Sequence, residues 1–242
     1  MTARIEKAAY PAFVYNTMHV GYSITPECFG IAVPGENRRV KARVIEIIPG
    51  HLENHERLID LSVRNGFVEA DPVNDIMKVT VFERHHETGT RGFGFLKGLG
   101  FRKGAVAQTV AHDAHNMIVA GMNDEDMALA ANTLIECGGG LCAVADGTLL
   151  ALVHLPIAGL MNDVSAERMD SLLRKLGDAW KEMGCAIHSP FMTMAYLSLA
   201  CIPELRLTNR GLVDCRTFRF ADLFPQPLSA QPERAQPETY VL

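Results

Sequence analysis

Apolar and polar residues alternate along much of the chain, and this pattern predicts β-strands. In the stretch 76–82, Met77, Val79 and Val81 share one face. The dipeptide Asn65-Gly66 lies within one of these stretches and Asp146-Gly147 lies between two others, and both predict tight hairpin turns. The stretches of β type are 40–48, 58–70, 76–82, 104–110, 117–122, 141–144, 148–155 and 212–220.

Three other stretches have helical character. The first begins at Asn123, a residue suited to capping, followed by three carboxylates that favour a helix N-terminus, and it ends at Gly138-Gly139-Gly140. The second begins at Ser165 and carries an apolar stripe at spacings of three and four residues up to Gly184. The third, 191–202, is largely apolar and stops at Pro203, which predicts a buried helix.

These elements predict an α+β fold: a single domain with a largely antiparallel sheet packed with about three helices, because strands and helices mix without a βαβ repeat. Residues 1–38 are predicted to be an irregular lead-in, punctuated by proline and glycine. The domain itself is expected over 39–223. The Pro-, Gln- and Ala-rich stretch 224–242 is predicted to be a disordered tail.

The stretch 88–104 stands apart because it contains six glycines. Glycine permits positive φ and close approach of the backbone to other groups. We predict a loop here, either a flexible one or one that closes over a ligand. Its spacing fits neither a Walker loop nor a Rossmann turn, because no strand–glycine–helix unit follows.

Composition and charge narrow the function classes. The net charge is −5 with a pI near 6.0, so nucleic-acid binding has no electrostatic support. The basic spots Arg38-Arg39 and Arg84-His85-His86 are predicted to be solvated surface. No apolar signal segment or run of about 18 apolar residues is present, so no membrane partner and a cytoplasmic location are expected. The six cysteines form no CxxC pair, and we predict buried, reduced thiols.

The densest polar cluster is His112-Asp113-Ala114-His115-Asn116, which lies between two predicted strands. On an extended segment His112 and His115 would point to opposite faces, whereas a turn could bring them together. Three interpretations stay open: a metal contact, the lining of a polar pocket or domain interface, and a structural hydrogen-bonded turn. Two histidines alone are a poor metal site, because tight sites need three or four ligands.

Other candidate chemistry is weaker. His51 and His55 have helical spacing with Glu53 between them, but this is not the HExxH pattern of zinc proteases. His19, His154 and His188 stand alone and are predicted to be structural. The sequence contains no GxSxG motif, so serine hydrolysis is unsupported.

Several stretches together resemble the C-terminal domain of the adenine deaminase family. The most specific is Gly104–Asn116, ending in the His-Asp-Ala-His-Asn segment, followed by Asn123–Ala128. The others, in the same order along the chain, are 75–79, 83–89, 92–98, 155–163, 190–193 and 202–214. The chain departs from the family at Ala114 and Asn162, where serine is usual, and at Asn209, where aspartate is usual.

The resemblance implies an enzyme that hydrolyses adenine to hypoxanthine and ammonia on a metal centre held by a (β/α)₈ amidohydrolase barrel. The barrel ligands include an HxH pair, which this sequence does not contain, and about 240 residues would not hold a barrel beside this domain. We therefore carry over no catalytic residue and no metal ligand. We expect no cofactor bound firmly by this chain, and Mn or Fe in a full-length relative. His112, Asp113, His115 and Asn116 match a family motif, and we expect them to face the barrel or the purine pocket.

Three hypotheses follow for function. The chain supports or covers an adenine-deaminating barrel, present as a domain or a separate subunit; or it is a stand-alone, non-catalytic module that binds a purine or a partner; or it is a small metallohydrolase that uses His112 and His115. Because a barrel would cover an apolar face, we also expect exposed apolar surface and a possible homo-oligomer.

Overall fold

The computed structural model describes residues 9–33 and 38–225. Parts of the predicted lead-in (1–8 and 34–37) and most of the predicted tail (226–242) lie outside the described residues. The strands are β1 Arg39–Ile47, β2 Asn54–Arg64, β3 Phe67–Val68, β4 Ile76–Phe82, β5 Arg91–Lys97, β6 Ala105–Gln108, β7 Met117–Gly121, β8 Gly140–Ala145, β9 Thr148–His154, β10 Leu205–Thr208, β11 Gly211–Asp214 and β12 Arg219–Ala221. The helices are α1 Asp124–Cys137, α2 Ala166–Glu182 and α3 Pro190–Ala195, with 3₁₀ turns at Ala12–Tyr15 and Pro26–Phe29.

Nine strands form one sheet in the order β3-β2-β1-β5-β4-β7-β6-β8-β9. All neighbouring pairs are antiparallel except β1 and β5, which run parallel. Strands β10, β11 and β12 form a second, small antiparallel sheet. The predicted α+β class with a largely antiparallel sheet and three helices is therefore confirmed.

Both faces of the large sheet are covered. On one face, Met77, Val79 and Val81 of β4 join a core that includes Trp180 of α2 and side chains of the small sheet. On the other face, Phe82 packs in a core with α1 and the 3₁₀ turn Pro26–Phe29. All seven residues of β4 are consequently buried, although their sequence alternates. Helix α1 is capped by the Asn123 side chain, which accepts the Asp126 amide, as predicted.

The glycine-rich stretch 88–104 differs most from the structure that its sequence predicted. It is not a loop, because its central part is strand β5 in the middle of the large sheet, paired with β4 and β1. The small sheet lies directly on β5, and a Cβ on Gly92 would overlap the carbonyl oxygen of Thr208. Gly92 therefore serves close packing between the two sheets, and neither flexibility nor ligand closure explains it.

The predicted buried helix at 191–202 is also wrong in extent. Helix α3 ends at Ala195, and the chain continues through irregular turns to strand β10, which the sequence analysis did not predict. The early end leaves Cys201 exposed, contrary to the prediction of buried thiols, whereas Cys142, Cys185 and Cys215 are buried. All six cysteines are free.

Residues 9–33 have irregular backbone with two short 3₁₀ turns, yet they belong to the packed domain. Val20, Ile24 and Phe29 are buried beneath α1. The Asn132 side chain of α1 donates to the Ile24 carbonyl oxygen at 2.7 Å and accepts the Ile24 amide at 3.3 Å. This stretch therefore runs across the face of the domain that α1 covers. No helix in the described part of the chain is long and apolar enough to cross a membrane.

Candidate functional site

The polar segments of the chain meet at one end of the large sheet. Strands β4 and β7 are antiparallel, with Phe82 opposite Met117, so the segment after β4 and the segment before β7 leave the sheet side by side. The first segment carries Glu83 and Arg84, and the second is His112–Asn116. The local hydrogen bonds between them define the candidate site.

A turn brings the two histidines of this segment together, which settles the geometry that the sequence left open. The ring centroids of His112 and His115 are 5.3 Å apart, and the His112 ring stacks on Tyr196 at 5.1 Å. The His112 amide donates to the Ala195 carbonyl oxygen at 2.8 Å, which ties the segment to the end of α3. Asp113 is exposed at the tip of the turn, beside Ala114.

His115 has a defined protonation pattern. The Ala111 amide donates to Nδ1 of His115 at 3.3 Å, so the proton of the neutral ring must sit on Nε2. Burial lowers the pKa of His115, and the nearby His112 and Arg84 lower it further. A half-buried neutral imidazole with its proton on Nε2 can donate a hydrogen bond from that nitrogen. It is a poor metal ligand, because one nitrogen is engaged and the other is protonated.

The lowered pKa of His115 predicts a loss of stability in weak acid. The ordinary pKa of histidine is about 6.5, and a lower pKa in the folded state means that the unfolded chain binds the proton more readily below that pH. This contribution to folding is fully present above about pH 6.5 and is lost as the pH falls. Urea titrations at about pH 7.5 and 5.5 measure this effect. Between the two pH values, the free energy of unfolding should fall less for His115→Asn than for the parent protein. An unchanged pH dependence would contradict this assignment.

Arg84 is fully buried, so the prediction of a solvated basic spot is wrong for this residue. Its Nε donates to the His115 carbonyl oxygen at 2.5 Å, its Nη1 to the Thr17 carbonyl at 2.7 Å, and its Nη2 to the Ala158 carbonyl at 3.0 Å. Burial lowers the pKa of the guanidinium to about 10, which leaves it charged at neutral pH. One cation therefore fastens three separate segments, and it also holds His115 at its left-handed φ of 51°.

Glu83 organises the turn that follows β4. Its carboxylate accepts the amides of His85, His86 and Thr88, with the shortest bond 2.5 Å from the His85 nitrogen. Burial raises the pKa of Glu83, but these hydrogen bonds outweigh burial and hold it below the ordinary value. The same turn places His85, whose Nε2 donates to the Ala114 carbonyl at 2.8 Å. Glu83 therefore positions His85, which supports the His112–Asn116 segment in addition to Arg84.

A chain of side-chain hydrogen bonds links this segment to the small sheet. Nδ2 of the buried Asn116 donates to Oδ1 of Asn209 at 3.2 Å, and Nδ2 of Asn209 donates to Thr90 Oγ1 at 2.8 Å. Thr88 lies between Thr90 and Glu83, with its hydroxyl donating to Glu83 at 3.0 Å. Asn209 is a position where the chain departs from the family it resembles, so the departure falls within this network.

Tyr196 and the residue that holds it, Arg206, were not predicted as part of the site from the sequence. Arg206 is buried and donates from Nη1 to the Tyr196 carbonyl at 2.9 Å and from Nη2 to the Leu52 carbonyl at 2.5 Å. The sequence carries no local sign of this contact, because Tyr196 and His112 are far apart along the chain. Arg206 therefore resembles Arg84: each is a buried guanidinium that donates hydrogen bonds to backbone carbonyls of different segments.

The described residues do not supply a metal centre. In residues 9–33 and 38–225 no group of three or more His, Cys, Asp or Glu side chains is arranged to hold a metal ion. His51 and His55 do not share a helix, because His55 lies in β2 and His51 precedes it. A cavity of about 160 Å³ reaches the candidate site at Tyr196. A larger one, about 570 Å³, lies between the β2–β3 hairpin and the start of α1. Neither cavity is lined by His112, Asp113, His115 or Asn116.

Comparison with known proteins agrees with the motif at the site. The family described as "Adenine deaminase C-terminal domain" matches residues 51–219. An adenine deaminase from Clostridium botulinum is 58% identical over 224 residues, which cover 93% of this chain and 37% of the relative. Adenine deaminases from Moorella thermoacetica and Rubrobacter xylanophilus are 51% and 42% identical over 215 residues, covering 89% and 88% of this chain and 36% and 35% of theirs.

The chain therefore belongs to the family of adenine deaminase C-terminal domains. It spans little more than a third of the length of these relatives.

Proposed function

We propose that this domain completes an adenine deaminase, in which an amidohydrolase barrel hydrolyses adenine. The similarity to proteins named adenine deaminase over 93% of the chain carries this proposal. In the reaction, water adds its oxygen to C6 of the purine and the C6–N bond breaks, so that hypoxanthine and ammonia leave. The barrel is a domain of the same protein or a separate subunit.

The role proposed for the His112–Asn116 segment follows from its chemistry. A metal ion on the barrel, Mn or Fe, would supply hydroxide near neutral pH. The residues described here contribute hydrogen bonding and positioning instead. His115 offers an N–H donor from Nε2, which suits an acceptor nitrogen of a purine ring or an acceptor on the barrel. Arg84 and Glu83 hold the segment rigid, so the donor is preorganised.

The first experiment separates the domain from the complete enzyme. The purified chain, supplied with Mn²⁺ or Fe²⁺, is assayed for hypoxanthine, and its metal content is measured. A chimera is assayed in parallel, in which this chain replaces the matched C-terminal part of the Clostridium botulinum relative. We expect an inactive, metal-free chain and an active chimera. Activity with bound metal in the isolated chain, or an inactive but folded chimera, would contradict the proposal.

The second experiment tests the segment itself in the chimera. His115→Asn removes the ring donor while keeping a residue type that tolerates left-handed φ. Loss of one hydrogen bond to a ligand or partner should lower kcat/KM about 10- to 100-fold. The matched control is His86→Asn, which removes an exposed imidazole from the neighbouring loop. Equal kinetics for both variants and the parent chimera would show that His115 has no role at the active site.

A further inference from the structure

A patch of exposed apolar side chains lies beside the candidate site. On the N-terminal stretch, Tyr10, Phe13 and Tyr15 are exposed to 39%, 74% and 47%, and on the loop after β9 Met161 is exposed to 55%. The two stretches touch, because the Ala158 amide donates to the Val14 carbonyl oxygen at 2.7 Å. We call Tyr10, Phe13, Tyr15 and Met161 the aromatic patch.

The backbone beneath the patch is held firmly although its side chains are exposed. The 3₁₀ turn Ala12–Tyr15 consists of four apolar residues, and none of them is buried. Arg84 fastens both halves of the patch from below, through the carbonyls of Thr17 and Ala158. A rigid, apolar surface of this kind is typical of a site that another protein surface covers.

The size of the patch fits the centre of an interface. Three aromatic side chains and a methionine at these exposures present on the order of 300–400 Å² of surface. A standard interface buries about 800 Å² on each partner, with an apolar centre and a polar rim. The His112–Asn116 segment is a neighbour that can supply part of that rim, because Arg84 binds the His115 carbonyl as well.

The relatives identify the occupant. The family model that matches residues 51–219 describes a C-terminal domain. The 224 aligned residues make up 37% of the Clostridium botulinum protein, so the larger part of that protein lies outside the alignment, on the N-terminal side of such a domain. We infer that the aromatic patch is the docking surface for the N-terminal part of the adenine deaminase chain. Docking there would set the His112–Asn116 segment against that part, and in this respect the inference rests on the proposed function.

The test compares two double variants in the isolated chain and in the chimera with the Clostridium botulinum relative. Phe13→Ser with Met161→Ser removes the centre of the patch. Val73→Ser with Phe218→Ser is the control, because these side chains are exposed to 84% and 70% and lie outside the patch. Exposed positions contribute little to folding, so both isolated variants should melt within about 2 °C of the parent.

In the chimera the two variants should differ. The patch variant should lose domain coupling, seen as separate thermal transitions and at least a tenfold lower kcat/KM, whereas the control should match the parent. Amides of Ala12–Tyr15 should exchange more slowly in the parent chimera than in the isolated chain. Equal exchange, or a patch variant that behaves as the control, would overturn the inference. Conversion of an isolated dimer to a monomer by the patch variant would also overturn it, because a second copy would then cover the patch.

The two proposals can fail separately. A parent chimera that shows slow exchange at Ala12–Tyr15, lost in the patch variant, but that does not deaminate adenine would support docking and contradict the proposed function. If the parent chimera deaminates adenine, and the patch variant changes neither its activity nor its amide exchange, only the docking inference would be contradicted.

Discussion

Gly92→Ala is expected to lower the free energy of unfolding by about 3 kcal/mol or more. The added Cβ would overlap the Thr208 carbonyl oxygen and lie 2.8 Å from the Gly211 nitrogen. Both are backbone atoms of the small sheet, which cannot move aside as a side-chain end can. The small sheet must therefore shift away from β5, and buried apolar contacts are lost. Urea unfolding followed by the fluorescence of Trp180, the single tryptophan, measures the change.

The matched control lies two residues further along the same strand. A Cβ on Gly94 would meet only side-chain ends, Leu207 Cδ2 at 3.3 Å and Val79 Cγ1 at 3.4 Å. Gly94→Ala should therefore cost about 1 kcal/mol or less. If both variants lowered the free energy of unfolding equally, the close approach of the small sheet would not be the reason for glycine at position 92.

Arg84→Met is expected to cost about 3–5 kcal/mol of folding stability and to loosen the His112–Asn116 segment. Removing the guanidinium leaves the carbonyls of Thr17, His115 and Ala158 without this donor in a buried region. Each buried polar group without a partner costs about 1–3 kcal/mol. Hydrogen exchange of the amides in the His112–Asn116 segment should become faster in this variant. In the chimera, the same substitution should lower the rate of adenine deamination.

Arg174→Met is the control for removing an arginine. Its side chain is 76% exposed and forms an ion pair with Asp170 on the same face of α2. Such exposed pairs are screened by solvent and contribute little to stability, so this variant should be close to the parent. If Arg84→Met were equally mild, the three segments would be held by other contacts, and the support proposed for His115 would be wrong.

Helices α1 and α2 and the two hairpin turns were predictable because their signals are local. Asn123 caps α1 as the sequence predicted, and the turns at Asn65-Gly66 and Asp146-Gly147 connect neighbouring strands. The strand Ile76–Phe82 has the predicted bounds, and its odd-numbered residues share one core. Capping, turn conformation and side-chain period depend on residues within a few positions of each other, so one sequence is enough to recognise them.

The motif at the candidate site was also recognisable, but its geometry was not. His112, Asp113, His115 and Asn116 stood out as a set in the sequence, whereas the stacking on Tyr196 and the bond from Ala111 to His115 needed coordinates. Arg84 looked like surface, since a charged residue beside two histidines is usually solvated. Its burial depends on carbonyls contributed by segments far away in the chain.

By itself, the sequence determined the fold class, the family resemblance and the residues of the polar segment, because local patterns and a long motif encode them. Only the tertiary structure decided that Gly92 lies in a central strand, that Arg84 is buried and that His115 presents its N–H from Nε2. Each of these depends on atoms brought close by folding: the small sheet over Gly92, three carbonyls around Arg84 and the Ala111 amide at His115. Such contacts have no local sequence signature, since their partners lie on other segments or are backbone atoms.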